Sequence, residues 1–184
     1  MDQIASRARR RMLGCGTIFL AAPMLALAPR TRANTGPRAL DFENLHTGEK
    51  LSLVYAVGDR YVAAALDTVR HFLRDFRNGE THVIDPALLE QLHALSAATG
   101  TRAPYQVISG YRSPATNAML QREGHGVATA SLHLKGQAID IRLADVALDH
   151  LRDAALSLRA GGVGYYPSPG SDFVHIDTGA VRRW

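Results

Sequence analysis

Two histidines and one aspartate in the last third of the chain have the residue types and the settings of a metal site. His133 follows a polar loop, Asp140 lies between two isoleucines of a predicted strand, and His175 lies in a second apolar segment. A carboxylate or imidazole inside an apolar strand is costly to bury unless it is paired or bound to a cation. Catalytic zinc takes three such ligands and keeps one position open for water. The three residues therefore predict a Zn²⁺ site and a metallohydrolase.

Three further residues are candidates for catalysis around this ion. Asp172 lies three positions before His175, where a carboxylate can accept a proton from water and pass it to a leaving amine. Asp177 lies two positions after His175 on the same strand face, and it orients that histidine, is itself the base, or bonds the Thr178-Gly179 turn. Arg112 ends a predicted strand and either binds a carboxylate or stabilises an oxyanion. The alternative for Asp172 is a turn residue, and for Arg112 a surface ion pair.

Residues 1–33 have the layout of an export signal. Four arginines precede an apolar run from Met12 to Ala28, and a small-residue cleavage site follows near Ala33. The run is shorter than a membrane span of roughly 20 residues, and Pro23 interrupts it. The arginines resemble a twin-arginine motif. The sequence predicts periplasmic export by the twin-arginine route, cleavage, and no stable membrane insertion afterwards. The alternative is an uncleaved membrane anchor.

The net charge depends on whether the predicted signal is counted. The whole chain carries 21 basic and 17 acidic side chains, a net charge of +4. Residues 34–184 carry 15 basic and 16 acidic side chains, a net charge of −1. This balance removes the main support for nucleic-acid binding. The single cysteine, Cys15, lies in the signal, so the rest of the chain has neither disulfides nor cysteine ligands for a metal.

Residues 34–184 are enough for one domain with its own core. Helices and strands mix without a regular βαβ rhythm, so the predicted fold class is α+β. Gly161, Gly162 and Gly164 predict close backbone approach, because no helix follows them as a dinucleotide-binding motif requires. Periodicity predicts a β-hairpin over 40–45 and 51–55, helices over 61–76, 87–98, 113–122 and 145–159, and strands over 105–109, 137–143, 161–166 and 173–177.

Four motifs carry a resemblance to a known family. They are Ser-Gly-Tyr-Arg-Ser (109–113), Ser-Leu-His-Leu-Lys-Gly-Gln-Ala-Ile-Asp (131–140), Gly-Gly-Val-Gly-Tyr-Tyr-Pro (161–167) and Phe-Val-His-Ile-Asp-Thr-Gly (173–179). The chain resembles the YcbK-like, or murein endopeptidase K, branch of the D-Ala-D-Ala carboxypeptidase and hedgehog-like zinc peptidases. Residues 45–49, Arg74-Asp75 and Arg183-Trp184 extend the resemblance over nearly all of residues 34–184.

The resemblance implies the hedgehog/D-Ala-D-Ala carboxypeptidase-like fold, a small antiparallel sheet flanked by helices. It implies zinc ligands at His133, Asp140 and His175, and a substrate or transition-state contact at Arg112. The implied activity is cleavage of peptide cross-links in peptidoglycan during wall growth or remodelling, including those between two diaminopimelate residues. In the wider family an acid lies three positions before the last ligand, which corresponds to Asp172; Asp177 is the second candidate.

Two other functions fit the same residues. A carboxypeptidase that releases a terminal D-amino acid would use the same ligands in a cleft closed beyond the cut bond. A non-catalytic wall-binding module would retain the metal, but the nearby acids and Arg112 argue against it. The sequence predicts cross-linked stem peptides as the partner and predicts no particular oligomeric state.

Overall fold

The computed structural model describes residues 36–124, 128–169 and 172–184. The predicted export signal, residues 1–33, lies outside this part of the chain. None of the helices described is long and apolar enough to cross a bilayer. The described residues all belong to a single compact unit.

Helices and strands alternate irregularly along the described residues, and the predicted α+β class is confirmed. One turn of 3-10 helix, Leu132–Lys135, precedes the fifth strand. The helices are α1 (Ala63–Phe72), α2 (Pro86–Thr99), α3 (Pro114–Arg122) and α4 (Leu148–Leu158). The strands are β1 (Pro37–Asn44), β2 (Lys50–Val57), β3 (Arg60–Tyr61), β4 (Tyr105–Ser109), β5 (Ala138–Arg142), β6 (Gly162–Tyr166), β7 (Phe173–Asp177) and β8 (Arg182–Arg183).

All the described strands form one sheet in the order β3-β2-β1-β4-β5-β7-β6-β8. The sheet is larger than expected and is not wholly antiparallel, because β1 pairs with β4 and β6 pairs with β8 in parallel. The sequence analysis missed β3 and β8, which have two residues each and are too short to show an alternating pattern. Since β8 is the edge strand next to β6, it lies close to the predicted metal ligands.

The core lies between the helices and one face of the sheet. Helix α2 is buried along Leu88, Leu89, Leu92 and Leu95, each 0% exposed. Helices α2 and α4 pack against each other, and α4 also packs on β6 and β7. The strand residues facing them are apolar and nearly fully buried: Ile139, Ile141, Val163, Val174 and Ile176. Because strand side chains alternate, the polar residues between these positions lie on the opposite face.

Helix α1 ends earlier than the periodicity predicted, at Phe72 instead of Phe76. The carboxylate of Asp75, which is 1% exposed, accepts from the backbone N–H of Arg77 at 3.1 Å. It also accepts from the backbone N–H of Ser113 at 2.9 Å. A short acidic side chain that binds nearby backbone donors competes with helix continuation. Asp75 thereby prevents α1 from continuing beyond Phe72, and its bond to Ser113 holds the loop that carries Arg112.

Candidate metal centre

His133 is held by one turn of 3-10 helix that is closed at both ends. The Ser131 hydroxyl accepts from the His133 backbone N–H at 3.3 Å, and Gly136 ends the turn with a left-handed φ of 64°. A side chain at Gly136 would clash with the carbonyl of Val83. The imidazole Nδ1 lies 2.6 Å from the carbonyl oxygen of Gly110. Since a carbonyl can only accept, Nδ1 carries a proton, and in the neutral ring Nε2 presents a lone pair.

Asp140 and His175 are brought together by strand pairing. Strands β5 and β7 are antiparallel, and Asp140 is the direct partner of His175 in their register. Cross-strand partners have side chains on the same face and close together. The two residues, 35 positions apart in sequence, therefore meet on the face away from α2 and α4. His133 reaches the same point from the turn that precedes β5.

Three potential ligand atoms converge in a small buried triangle. His133 Nε2 lies 3.2 Å from Asp140 Oδ1 and 3.2 Å from His175 Nδ1. The third side, from His175 Nδ1 to Asp140 Oδ1, is 2.8 Å. All three residues are buried. Ligand atoms about 2.0–2.1 Å from a tetrahedral zinc lie roughly 3.3 Å apart, so the triangle fits a zinc ion with small adjustments.

Proton counting supports a cation at this point. If the His133 ring is neutral, its Nε2 has no proton, because Nδ1 donates to a backbone carbonyl. His175 Nε2 lies 3.1 Å from the carboxylate Oδ2 of Asp177, which can only accept. If both rings are neutral, three lone pairs meet without a proton between them. Either an extra proton on one of the two rings or a metal ion must therefore compensate them.

The ionisation of these groups follows from their mutual contacts. Burial by itself disfavours the charged form of Asp140, but His133 and His175 hold its pKa well below the ordinary value. Burial likewise lowers the pKa of His175, and its hydrogen bonds to Asp140 and Asp177 outweigh this and raise the pKa to about 9. In the metal-free protein, His175 is therefore protonated near neutral pH. A bound metal ion would displace that proton.

Asp177 is a fully buried acceptor behind His175. It is 0% exposed, and its Oδ1 accepts from the backbone N–H groups of Gly162 and Gly179 at 3.0 and 2.8 Å. Its Oδ2 faces His175 Nε2 and accepts from Arg182 Nη2 at 2.6 Å. Burial opposes ionisation, and the hydrogen bonds from His175, the two backbone N–H groups and Arg182 bring the pKa down to about 2. Both oxygens are thus occupied by donors.

The glycines between residues 161 and 164 allow these close contacts, as the sequence analysis predicted. A side chain at Gly161 would clash with the Asp177 carbonyl oxygen. A Cβ at Gly162 would lie 2.5 Å from Asp177 Oδ2, and one at Gly164 would lie 2.7 Å from the Trp184 ring. Glycine is required at these positions by space, since none of the three has a positive φ.

Arg112 lies beside the acid of the triangle. Its Nη2 is 3.8 Å from Asp140 Oδ2, and its side chain is 11% exposed. Its backbone N–H donates to the His133 carbonyl at 3.2 Å, which ties the arginine loop to the 3-10 turn. The guanidinium Nε is buried and has no hydrogen-bond partner among the described residues. Arg112 also lines the cleft over the three converging side chains.

Asp172, the first candidate for the base, is placed differently. Its Oδ1 lies 2.7 Å from Arg142 Nη1, and the Asp172 side chain is 46% exposed. It is not among the residues that line the cleft over the three converging side chains. The position three residues before His175 falls just outside β7, so strand alternation does not direct its side chain toward the ligands.

The converging side chains open into a cleft of about 390 Å³. Tyr166 lines this cleft, which is one of the two roles that its sequence setting suggests, the other being packing. Sequence analysis did not assign a role to two other residues that line it, Arg182 and Trp184. The Trp184 ring centroid is 5.2 Å from that of His175, and Trp184 Nε1 donates to the Tyr166 hydroxyl at 2.6 Å. Arg183-Trp184 contributed to the family resemblance, but a two-residue edge strand has no pattern that predicts its neighbours.

Comparison with known proteins identifies close relatives. Residues 32–184 match the family model described as peptidoglycan L,D-endopeptidase MepK. The protein of that name from Escherichia coli K12 is 47% identical over 177 residues, which cover 96% of this chain and 96% of the relative. The Shigella flexneri protein of the same name gives the same identity and coverage.

A solved structure shows a weaker likeness. The crystal structure of the Serratia marcescens L-Ala D-Glu endopeptidase ChiX is 19% identical, with a TM-score of 0.39. The match covers 52% of this chain and 80% of that one.

Proposed function

The chain belongs to the family of peptidoglycan L,D-endopeptidase MepK, and on that premise we propose that it is a zinc-dependent endopeptidase that cleaves peptide cross-links in peptidoglycan. The observation that carries the proposal is the buried triangle of His133, Asp140 and His175, whose ligand atoms lie 2.8–3.2 Å apart. The relatives at 47% identity, matched over 96% of both chains, are named for this activity.

The ligand set suits zinc better than harder cations. Two imidazole nitrogens and one carboxylate are donors that zinc takes in catalytic sites, whereas calcium and magnesium prefer oxygen ligands. Zinc bound there would supply Lewis-acid polarisation of the scissile carbonyl and activation of water near neutral pH. The open cleft of about 390 Å³ above the three residues leaves space for water and for a peptide.

Asp177 and Arg112 have separable parts in this proposal. Asp177 accepts from His175 Nε2, so that the lone pair of Nδ1 points at the metal; the carboxylate acts through the histidine and not on the substrate. Arg112 lines the cleft beside Asp140, so its guanidinium contacts the substrate or the oxygen on which negative charge develops.

The proton acceptor is the part of the sequence hypothesis with the least structural support. Asp177 has donors on both oxygens and a pKa of about 2, which suits an orienting residue more than a base. Asp172 has the spacing of a base, and its carboxylate would have to leave Arg142 to reach the cleft. Asp172 is the acceptor that the spacing predicts; because its ion pair with Arg142 lies outside the cleft lining, we expect its substitution to have only a small effect, and a large effect would establish it as the acceptor.

The finer features of the function follow from the relatives and the predicted export signal. We propose that the cut bond joins an L-centre to a D-centre, as the relatives' name states, and that diaminopimelate–diaminopimelate links are the target. We also propose that the enzyme acts in the periplasm after twin-arginine export and removal of residues 1–33. Peptidoglycan lies outside the cytoplasmic membrane, so an enzyme that cuts it must be exported.

The test is digestion of purified sacculi by the purified protein, with the released muropeptides read by mass spectrometry. We expect cross-linked dimers to disappear, the loss to stop with a chelator, and zinc to restore it. The masses of the products identify which peptide cross-link was cut. His133→Ala serves as the matched inactive protein.

Three other outcomes would contradict the proposal. Monomers shortened by one residue, with dimers intact, would indicate a carboxypeptidase. Unchanged muropeptides in the presence of bound zinc would indicate a wall-binding module. Cleavage that persists in His133→Ala or in chelator would remove the metal from the mechanism.

A further inference from the structure

A hydrogen-bonded pair of aromatic residues forms one wall of the metal cleft. Tyr166 is the last residue of β6 and Trp184 follows β8, and both line the cleft together with His175. Trp184 Nε1 donates to the Tyr166 hydroxyl at 2.6 Å, and the Trp184 ring stands against His175 with centroids 5.2 Å apart. Neither aromatic residue is buried, at 39% and 49% exposure respectively.

The Tyr166 ring has a fixed position. It stacks on Phe173 with ring centroids 4.6 Å apart and planes 22° from parallel. Phe173 is the strand neighbour that pairs with Tyr166 in the β6–β7 register, so the stack follows from sheet geometry. Trp184 in turn depends on Gly164, because a Cβ there would lie 2.7 Å from the indole ring. Position and orientation of the phenol are therefore set before any ligand arrives.

Hydrogen-bond accounting leaves the phenol proton free. Within the described part of the chain, the only hydrogen bond of the Tyr166 hydroxyl is the one that it accepts from Trp184. A phenolic oxygen also donates once. Because the indole N–H occupies the acceptor side, the O–H is free to donate to a ligand in the cleft that Tyr166 lines with Arg112. The phenol O–H is thus a donor at the cleft wall that the described residues do not use.

We propose that Tyr166 is a second substrate-contacting donor, whose hydroxyl donates to the scissile carbonyl oxygen as negative charge develops on it, and that Trp184 is its positioning residue. This inference rests on the proposed function. Preorganised donors at a developing oxyanion are effective because they need no reorientation during the reaction. Tyr166 would contact the substrate, whereas Asp177 contacts the metal ligand His175.

The test is steady-state kinetics of the zinc-loaded protein on a purified cross-linked muropeptide dimer. Tyr166→Phe keeps the stack on Phe173 and removes only the hydroxyl. We expect it to lower kcat by about a hundredfold with KM nearly unchanged, as for loss of one oxyanion donor. Tyr165→Phe is the matched control, since Tyr165 lies on the other strand face under Arg152, 4.5 Å from the ring centroid. It should match the wild type.

A double-mutant cycle tests the part assigned to Trp184. Trp184→Phe keeps an aromatic ring and removes the indole N–H, and we expect a loss of about tenfold in kcat, smaller than that of Tyr166→Phe. If Trp184 acts through the phenol, Trp184→Phe causes no further loss in a Tyr166→Phe background. Fully additive losses would overturn the positioning role.

A readout without turnover is available, because Trp184 is the only tryptophan in the chain. Tyr166→Phe removes the acceptor of the indole N–H and should shift the Trp184 fluorescence emission in the metal-free protein, while Tyr165→Phe should not. Zinc content of each variant, measured by mass spectrometry, should stay at the wild-type level. An unchanged emission would overturn the Trp184–Tyr166 hydrogen bond in solution.

The remaining outcomes distinguish the two proposals. Full activity in Tyr166→Phe together with impaired Tyr166→Leu would show that the ring is only a wall, and it would overturn the donor. A change confined to KM would place the contact on the bound substrate and overturn the assignment to the carbonyl oxygen. A wild-type protein that cleaves no muropeptide overturns the proposed function, and the inference with it.

Discussion

The two faces of β5 and β7 have opposite chemistry, although the same two strands form both. On the face toward α2 and α4 the side chains are branched and apolar, and each is at most 4% exposed: Ile139, Ile141, Val174 and Ile176. On the other face, Asp140 and His175 are also nearly buried, at 5% and 9% exposed. Equal burial therefore results from two different causes.

The difference lies in what compensates the burial. The apolar face is stabilised by area removed from water, and any neighbour of the right shape serves. The polar face requires a specific partner for each atom, and these partners come from the 3-10 turn, β6 and β8. Substitutions on the apolar face should lower stability without a specific effect on metal binding, and substitutions on the polar face should do the reverse.

The largest effect is expected for His133→Ala. The change removes one of three ligands, so we expect the protein to lose stoichiometric zinc and at least about a thousandfold in kcat/KM. The fold should remain, because His133 contributes no apolar contact to the core cluster. Zinc content and circular dichroism measure the two properties separately. Its control is Ile139→Ala on the other face, which should cost about 2–5 kcal/mol of unfolding free energy while the zinc stoichiometry stays at one.

Asp177→Asn is expected to weaken zinc binding by about 10- to 100-fold, because it removes the charge that orients His175 from behind. Competition with a chromogenic chelator measures the affinity. Arg182→Gln is the informative companion, since Arg182 contacts Asp177 and not the ligands. We expect a smaller loss for it; an equal loss would mean that the ion pair, not the histidine contact, carries the effect.

The pH dependence should have opposite signs in the metal-free and the zinc-loaded protein. Without metal, the raised pKa of His175, about 9, contributes stability that is fully present below pH 6.5 and is lost as the pH rises through 9. With metal, zinc competes with the proton on His175, so its apparent affinity should rise about tenfold per pH unit up to about pH 9. Melting temperatures of both forms between pH 6 and 9 test this; parallel slopes would contradict it.

The smallest effect is expected for Asp172→Asn. A residue that accepts a catalytic proton is worth roughly 10²–10⁴-fold in rate. Because Asp172 is paired with Arg142 and lies outside the lining of the cleft, we expect a loss of less than about tenfold in kcat. A loss of a hundredfold or more, with Arg142→Gln unaffected, would instead establish Asp172 as the proton acceptor.

Local patterns in the sequence account for much of the fold. The Asp85 cap, Pro86 and Gly100 mark the ends of α2, and the structure has the Asp85 side chain accepting from Ala87 N–H at 3.0 Å and Gly100 in a left-handed conformation. These signals act over a few residues, so they can be read without tertiary information. The early end of α1 was missed because it depends on Ser113, 38 positions after Asp75.

The residue types alone predict the kind of chemistry, because an acid and two histidines that are buried in apolar surroundings need a cation to compensate them. That their ligand atoms meet within 3.2 Å follows from the folded chain, because it depends on the β5–β7 register and on the 3-10 turn. The folded chain also places Asp177 against His175 Nε2 and pairs Asp172 with Arg142. It brings Trp184 and Tyr166 to the wall of the cleft. Spacing along a strand specifies a face, whereas contacts across strands depend on pairing that no local pattern encodes.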